Sequence, residues 1–191
     1  MRAITQMISY EIPFFIAMLA PALVVGSWSF QEILDFQVNN YWLVVITFIG
    51  LFVGIISLQG KLERIPFDTP EAETEIVGGT LVEYSGRRLA LFKFMVDIEM
   101  IAGAALIAVL FLGGGDLFFD ASGLNTFVAN LIGFIILLVK IIFIILILAL
   151  IRVAVARFRI DQMVRFCYRF MIPLALVQIV IILFLKYLEF I

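Results

Sequence analysis

Ionisable side chains stand within or at the edges of long apolar runs of this sequence, among them Glu11, Lys93, Asp97, Glu99 and Lys140. A charge moved into hydrocarbon is costly unless it is paired or hydrated, so acids and lysines in such runs are first candidates for holding and passing protons or ions. Lys93 and Asp97 are four residues apart and share a helix face, where they can neutralise each other as a structural pair or act together in transport. Glu99 points away from Asp97 and needs another partner. With a rise of 1.5 Å per residue, Glu99 and Lys140 each lie about 15 Å from the same end of their runs. Glu99 is therefore expected to meet Lys140, and a staggered polar path is expected from Glu11 through Asp97 and Glu99 to Lys140.

A second set of candidates lies in the long polar segment 60–88, GKLERIPFDTPEAETEIVGGTLVEYSGRR. It carries six carboxylates, Glu63, Asp68, Glu71, Glu73, Glu75 and Glu83. Thr69 can cap a helix beginning at Pro70, with Glu71 and Glu73 at the positive end of its dipole and Gly78 and Gly79 ending it. Glu71 and Glu75 are one turn apart and repel, so if buried they would titrate as a pair. The segment reads either as a solvated acidic loop or as a proton-holding patch at an interface. A third stretch, 152–170, is basic. Arg157, Asp161, Arg165 and Arg169 recur every four residues, so Asp161 can pair with an Arg on either side, and the stretch reads as a basic helix lying at the membrane surface on lipid phosphates.

The elements that must position these groups follow from composition. Of 191 residues, 64% are hydrophobic and 15% charged, too few polar side chains to cover a water-exposed surface. The chain reads as an all-α integral membrane protein forming one transmembrane domain, with spans near 9–27, 41–59, 89–113, 126–150 and 171–190, since only helices satisfy their own backbone in lipid once strand patterning is absent. Segments on one side of these spans hold ten Lys and Arg, whereas 28–40 and 114–125 on the other hold none and carry Glu32, Asp35, Asp116 and Asp120. The positive-inside rule makes the basic side cytoplasmic, or its mitochondrial equivalent, and Lys186 near the opposite side can snorkel. The acidic loop and the basic segment 151–170 then share the inner face. The N-terminus does not read as a signal peptide, because Glu11 interrupts its apolar stretch.

The same composition narrows the chemistry. There is no His and one cysteine, Cys167, so haem, iron–sulfur and ordinary zinc ligand sets are lacking and no internal disulfide can form. Gly113, Gly114 and Gly115 are not followed by the Lys-Ser/Thr of a phosphate loop. No basic run points to nucleic acid. No internal repeat of the kind that builds a stand-alone transporter is evident. Redox chemistry must belong to a partner.

Three stretches, in order, carry a family resemblance: RAITQMISYEIP, PFDTPEAETEIVGGTLVEYSGRRLALF and LVKIIFIILILALIRVAVARFRIDQMV. They resemble the membrane subunit that anchors the peripheral arm of respiratory complex I, the NADH dehydrogenase subunit 1 family, and its relatives in membrane-bound hydrogenases. The LERIPFD and YEIP variants look more like the ferredoxin-linked hydrogenase or sulfur-reducing branch than the NRAPFD and YEVA forms of complex I.

The resemblance implies a multi-pass energy-coupling subunit that binds no cofactor by itself. Iron–sulfur and nickel-iron centres would sit in hydrogenase-like or quinone-reductase-like peripheral partners, and antiporter-like membrane subunits would move protons or sodium. Arg64, Arg87, Arg157, Arg159 and Asp161 are the expected docking residues. A quinone-reducing complex and a purely structural anchor are the alternatives. The resemblance starts at Arg2, as if the family's first three helices were absent, which implies either a separate chain that supplies them or a split or partial gene. Two positions depart from the pattern: Val96 stands where the family has a carboxylate, and Ala156 where it has Pro.

Overall fold

The computed structural model describes residues 2–40, 42–68, 82–115 and 126–188, and all regular structure among them is helical. Helix α1 (Arg2–Val25) turns Tyr10, Phe14, Ala17 and Val24 inward at helical spacing. The expected loop 28–40 instead contains an amphipathic helix, α2 (Phe30–Asn39), which buries Ile33 and Gln37 one turn apart.

The second span is made of two pieces, α3 (Trp42–Ile46) and α4 (Phe48–Lys61). Between them the Thr47 hydroxyl donates to the Leu43 carbonyl at 2.8 Å, a back-bond of the sort that bends helices.

Helix α5 (Arg87–Leu112) ends at Gly113, whose φ of 68° is the left-handed conformation that closes a helix. Helix α6 (Thr126–Ala154) returns beside it. The last helical run comprises α7 (Ile160–Phe166), a π-helical turn (Cys167–Met171) and α8 (Ile172–Tyr187). Pro173 explains the turn: it has no N–H to donate and its ring crowds the carbonyl of Arg169, and a wider turn relieves both.

The basic stretch 151–170 is thus not a helix of its own. Residues 151–154 end α6, residues 155–159 leave helical geometry, and residues 160–170 form the first turns of a helix continuous from Ile160 to Tyr187. With Arg157 outside any helix, the expected Arg157–Asp161 step along one face is lost, and Asp161 makes no ion pair among the described residues.

Helix α4 is the centre of the bundle, packed against α1, α5 and α8. Small residues make this possible, as is usual where helices meet without a hydrophobic drive. A Cβ at Gly60 would enter the Tyr10 ring, and one at Gly50 would lie 2.7 Å from the Gln178 amide oxygen. Around this axis the core gathers Phe14, Leu58, Ile107, Phe111, Ile144 and Leu148.

The outer faces are apolar too. Four helices, Ile4–Val25, Arg87–Leu112, Phe127–Ala154 and Ile160–Tyr187, are long and apolar enough to cross a membrane, and only 17% of the apolar window of Phe127–Ala154 is buried within the chain. Water would not tolerate that surface, whereas lipid would.

Candidate functional site

One end of the bundle is built by the turn that follows α4. Residues 62–68 are held from beneath by uncharged polar side chains: buried Gln6 donates to the carbonyls of Gly60 at 3.1 Å and Phe67 at 2.6 Å, and Gln59 donates to Ile65 at 2.8 Å. Glu63 turns the chain with a left-handed φ of 52°.

From the side, the Phe158 N–H donates to the Pro66 carbonyl at 3.0 Å. Arg157 donates to the Asp68 carbonyl and lies 3.7 Å from its carboxylate. Aromatic rings fill the space between. Phe67 packs on Tyr10 with centroids 5.0 Å apart and stacks near Phe158 and Phe166 at 5.7 and 6.5 Å. The non-helical geometry of 155–159 follows from this clasp, since a helix could not offer the Phe158 N–H to Pro66.

Beside the clasp lies a cavity of about 690 Å³ between the turn, the first half of α5 and the end of α6. Its lining brings together Glu63, Arg64, Asp68, Lys93, Asp97 and Glu99, all singled out from sequence, and adds Arg152. Their pairing differs from expectation. Asp97 is held by Arg64, which also reaches the Met100 sulfur at 3.0 Å, and Lys93 makes no ion pair among the described residues. Arg64 has displaced the local i to i+4 partner because the turn brings its guanidinium over the face of α5.

Glu99 pairs with Lys61 at 3.4 Å rather than with Lys140. Lys61, the last residue of α4, also lies 5.7 Å from the centre of the Phe14 ring. The Arg64–Asp97 pair is partly exposed, with Asp97 at 57%, so Asp97→Asn is expected to change stability by less than about 1 kcal/mol. Chemical denaturation of the purified chain checks this.

Lys140 sits at the opposite end of α5. It donates to the carbonyls of Leu112 and Gly114, each at 2.7 Å, and Gln37 donates to Leu110 at 2.5 Å. These carbonyls form the negative end of the α5 dipole, which a lysine satisfies well.

Glu99 and Lys140 do not share a depth, because their two helices are slid past each other: Glu99 lies level with the turn, and Leu112 is thirteen residues, about 20 Å, further along. Between Ile101 and Leu112 no side chain is polar, so the polar line expected from Glu99 to Lys140 does not run along α5. Lys186 donates to the Leu23 carbonyl at 3.3 Å, so it closes α1 in the way Lys140 closes α5.

Other expected residues are more scattered. Glu11 is half-buried on α1 and makes no polar contact among the described residues. Glu83, Arg87, Arg159 and Asp161 are exposed. Glu71, Glu73 and Glu75, with the helix expected at Pro70, lie outside the described residues.

The glutamines were not singled out from sequence. Gln6, Gln37, Gln59 and Gln178 are all essentially buried, and a neutral amide interrupting an apolar run was the available signal. Neither amide atom of Gln178 has a hydrogen-bond partner among the described residues.

Apolar helices facing outward around a polar clasp at one end define a multi-pass helical membrane protein. The family model described as NADH dehydrogenase matches residues 1–183. The chain belongs to that family, the subunit 1 family of NADH dehydrogenase. It is 33% identical over 181 residues to a subunit of the NADH-quinone oxidoreductase of Cytophaga hutchinsonii, covering 94% of this chain and 53% of that protein. It is 37% identical over 184 residues to a subunit of the F(420)H(2) dehydrogenase of Methanosarcina mazei, covering 93% of this chain and 51% of that protein. The chain therefore spans about half the length of these relatives. The fold is also that of a chain in the archaeal membrane-bound sulfane sulfur reductase, with a TM-score of 0.81 at 24% identity over 95% of this chain and 58% of the other.

Proposed function

We propose that this chain is a membrane subunit of a respiratory oxidoreductase complex of the ferredoxin-linked hydrogenase or sulfur-reducing type. It anchors a peripheral redox arm and couples electron transfer to proton or sodium translocation. The observation that carries this reading is the concentration of ion pairs at one end, where Arg64–Asp97, Lys61–Glu99 and Arg157–Asp68 tie the turn, α5 and the 155–159 connector together. By the positive-inside rule this end faces the cytoplasm, where the redox arm, carrying the iron–sulfur and nickel-iron centres, meets Arg64, Arg87, Arg157, Arg159 and Asp161. Antiporter-like subunits complete the membrane part.

Coupling then runs through α5 as a rod. A change of charge in the arm re-sorts the pairs at its near end, and the helix transmits the shift to Lys140 at its far end, since packed helices move as units and not continuously. Glu11 lies on α1, which packs against α4, and it supplies a proton-accepting group near the same end. Glu11→Gln in the assembled complex is expected to lower the number of ions moved per electron while electron transfer persists. An unchanged ratio measured in proteoliposomes counts against its role.

The second reading is the subunit 1 position of a quinone-reducing complex, favoured by relatives that are NADH-quinone oxidoreductase subunits. Purifying the native assembly and assaying its metals and acceptors separates the two. Nickel with hydrogen evolution, or sulfur reduction, supports the first. A nickel-free assembly that reduces quinone supports the second.

A further inference from the structure

We propose that the cavity beside the turn holds the headgroup of an anionic phospholipid, gripped by Lys93 and Arg152. The charges lining it explain why. Of its four acids, Asp97 and Glu99 are paired with Arg64 and Lys61, Asp68 is paired with Arg157, and Glu63 makes a polar contact of its own. Two cations remain, Lys93 from α5 and Arg152 from α6, and neither has an ion-pair partner among the described residues. With three of the four acids paired to other cations, the two spare cations make the cavity favour an anion.

The surroundings identify which anion. Phe92, Met95 and Val96, flanking Lys93 on α5, add apolar lining, and the volume of about 690 Å³ suits a headgroup with part of its glycerol and chains. Beside it, α5 and α6 carry an exposed apolar strip: Leu91 and Ile98 on α5 and Leu150 and Val153 on α6 are between 51% and 85% exposed. A free phosphate would use the cations but not the strip. A phospholipid uses both, in the manner of basic pockets between transmembrane helices. This reading does not depend on which redox reaction the complex performs.

The test uses the purified complex in phosphatidylcholine nanodiscs containing some phosphatidylglycerol, with bound lipid counted by native mass spectrometry after detergent exchange. Lys93→Gln with Arg152→Gln is expected to weaken phosphatidylglycerol retention on the order of thirtyfold, with phosphatidylcholine unaffected. The charge-preserving pair Lys93→Arg and Arg152→Lys should retain the lipid. If the double glutamine variant does not assemble, each single variant is measured, with about a fivefold loss expected. The proposal is overturned if the neutral variants retain phosphatidylglycerol as the parent does. It is also overturned if inorganic phosphate displaces the lipid from the parent, or if photo-crosslinkers at position 93 capture a partner protein instead of lipid.

Discussion

Gly60→Ala is expected to unseat the turn at residues 62–68. The Tyr10 ring rests on the α carbon of Gly60, so a methyl group there has nowhere to go without moving a fully buried aromatic side chain. Tyr10 in turn packs on Phe67 with centroids 5.0 Å apart, and Gln6 spans the same place by donating to both Gly60 and Phe67. One methyl therefore strains the ring contact and two buried hydrogen bonds together. Overpacking of this kind costs about 1–3 kcal/mol, and the value should fall at the upper end because the displaced neighbour is a ring. The expected observations are a lower melting temperature of the detergent-solubilised protein and faster trypsin cleavage after Arg64. Tyr10→Leu combined with Gly60→Ala removes the rigid ring and should restore part of the loss. A melting temperature and cleavage rate equal to the parent's would show that the turn does not depend on this contact.

Lys140→Met should free the far end of α5. The ammonium group holds the Leu112 and Gly114 carbonyls at 2.7 Å, and in lipid no water replaces a lost donor. Charged hydrogen bonds of this kind are worth roughly 2–3 kcal/mol. Hydrogen exchange over residues 108–115 is expected to accelerate, with exchange at the Arg64 end unchanged. Lys140→Arg, which keeps the charge and the donors, should exchange as the parent does. In the assembled complex the proposed coupling role adds a second expectation: the Met variant continues to pass electrons but moves fewer ions per electron. Parental exchange with normal coupling would remove Lys140 from both roles.

These two sites differ in how far the sequence reveals them. The spans were readable because lipid imposes one solution on apolar runs, and Lys140 stood out because a charge in such a run demands an explanation. Its partner was hidden. Backbone carbonyls at a helix end leave no mark in the order of side chains, and equal distances from the run ends assumed helices that begin level, whereas α5 and α6 are slid past each other. Lys93 and Asp97 had the right spacing for a local pair, yet Arg64 from the turn after α4 took the carboxylate. Local spacing cannot anticipate a competitor brought in by tertiary structure. The clasp around Phe67 depends on glutamines, a glycine and backbone groups, none of which signals a site by type alone.

The π-helical turn at Cys167–Met171 bears on how the last helix keeps time. Its inward residues are Met163, Cys167, Met171, Ala175, Gln178 and Ile182. Met163 and Ile182 are nineteen residues apart, about 5.3 turns of a regular α-helix, so without the wide turn Ile182 would swing about 100° off the shared face. Eighteen residues would make five whole turns. The turn thus accommodates one supernumerary residue. Shortening the helix by a single residue there would straighten it and leave every inward side chain facing inward, while the same deletion on either side of it would turn the remainder of the helix out of phase with its neighbours.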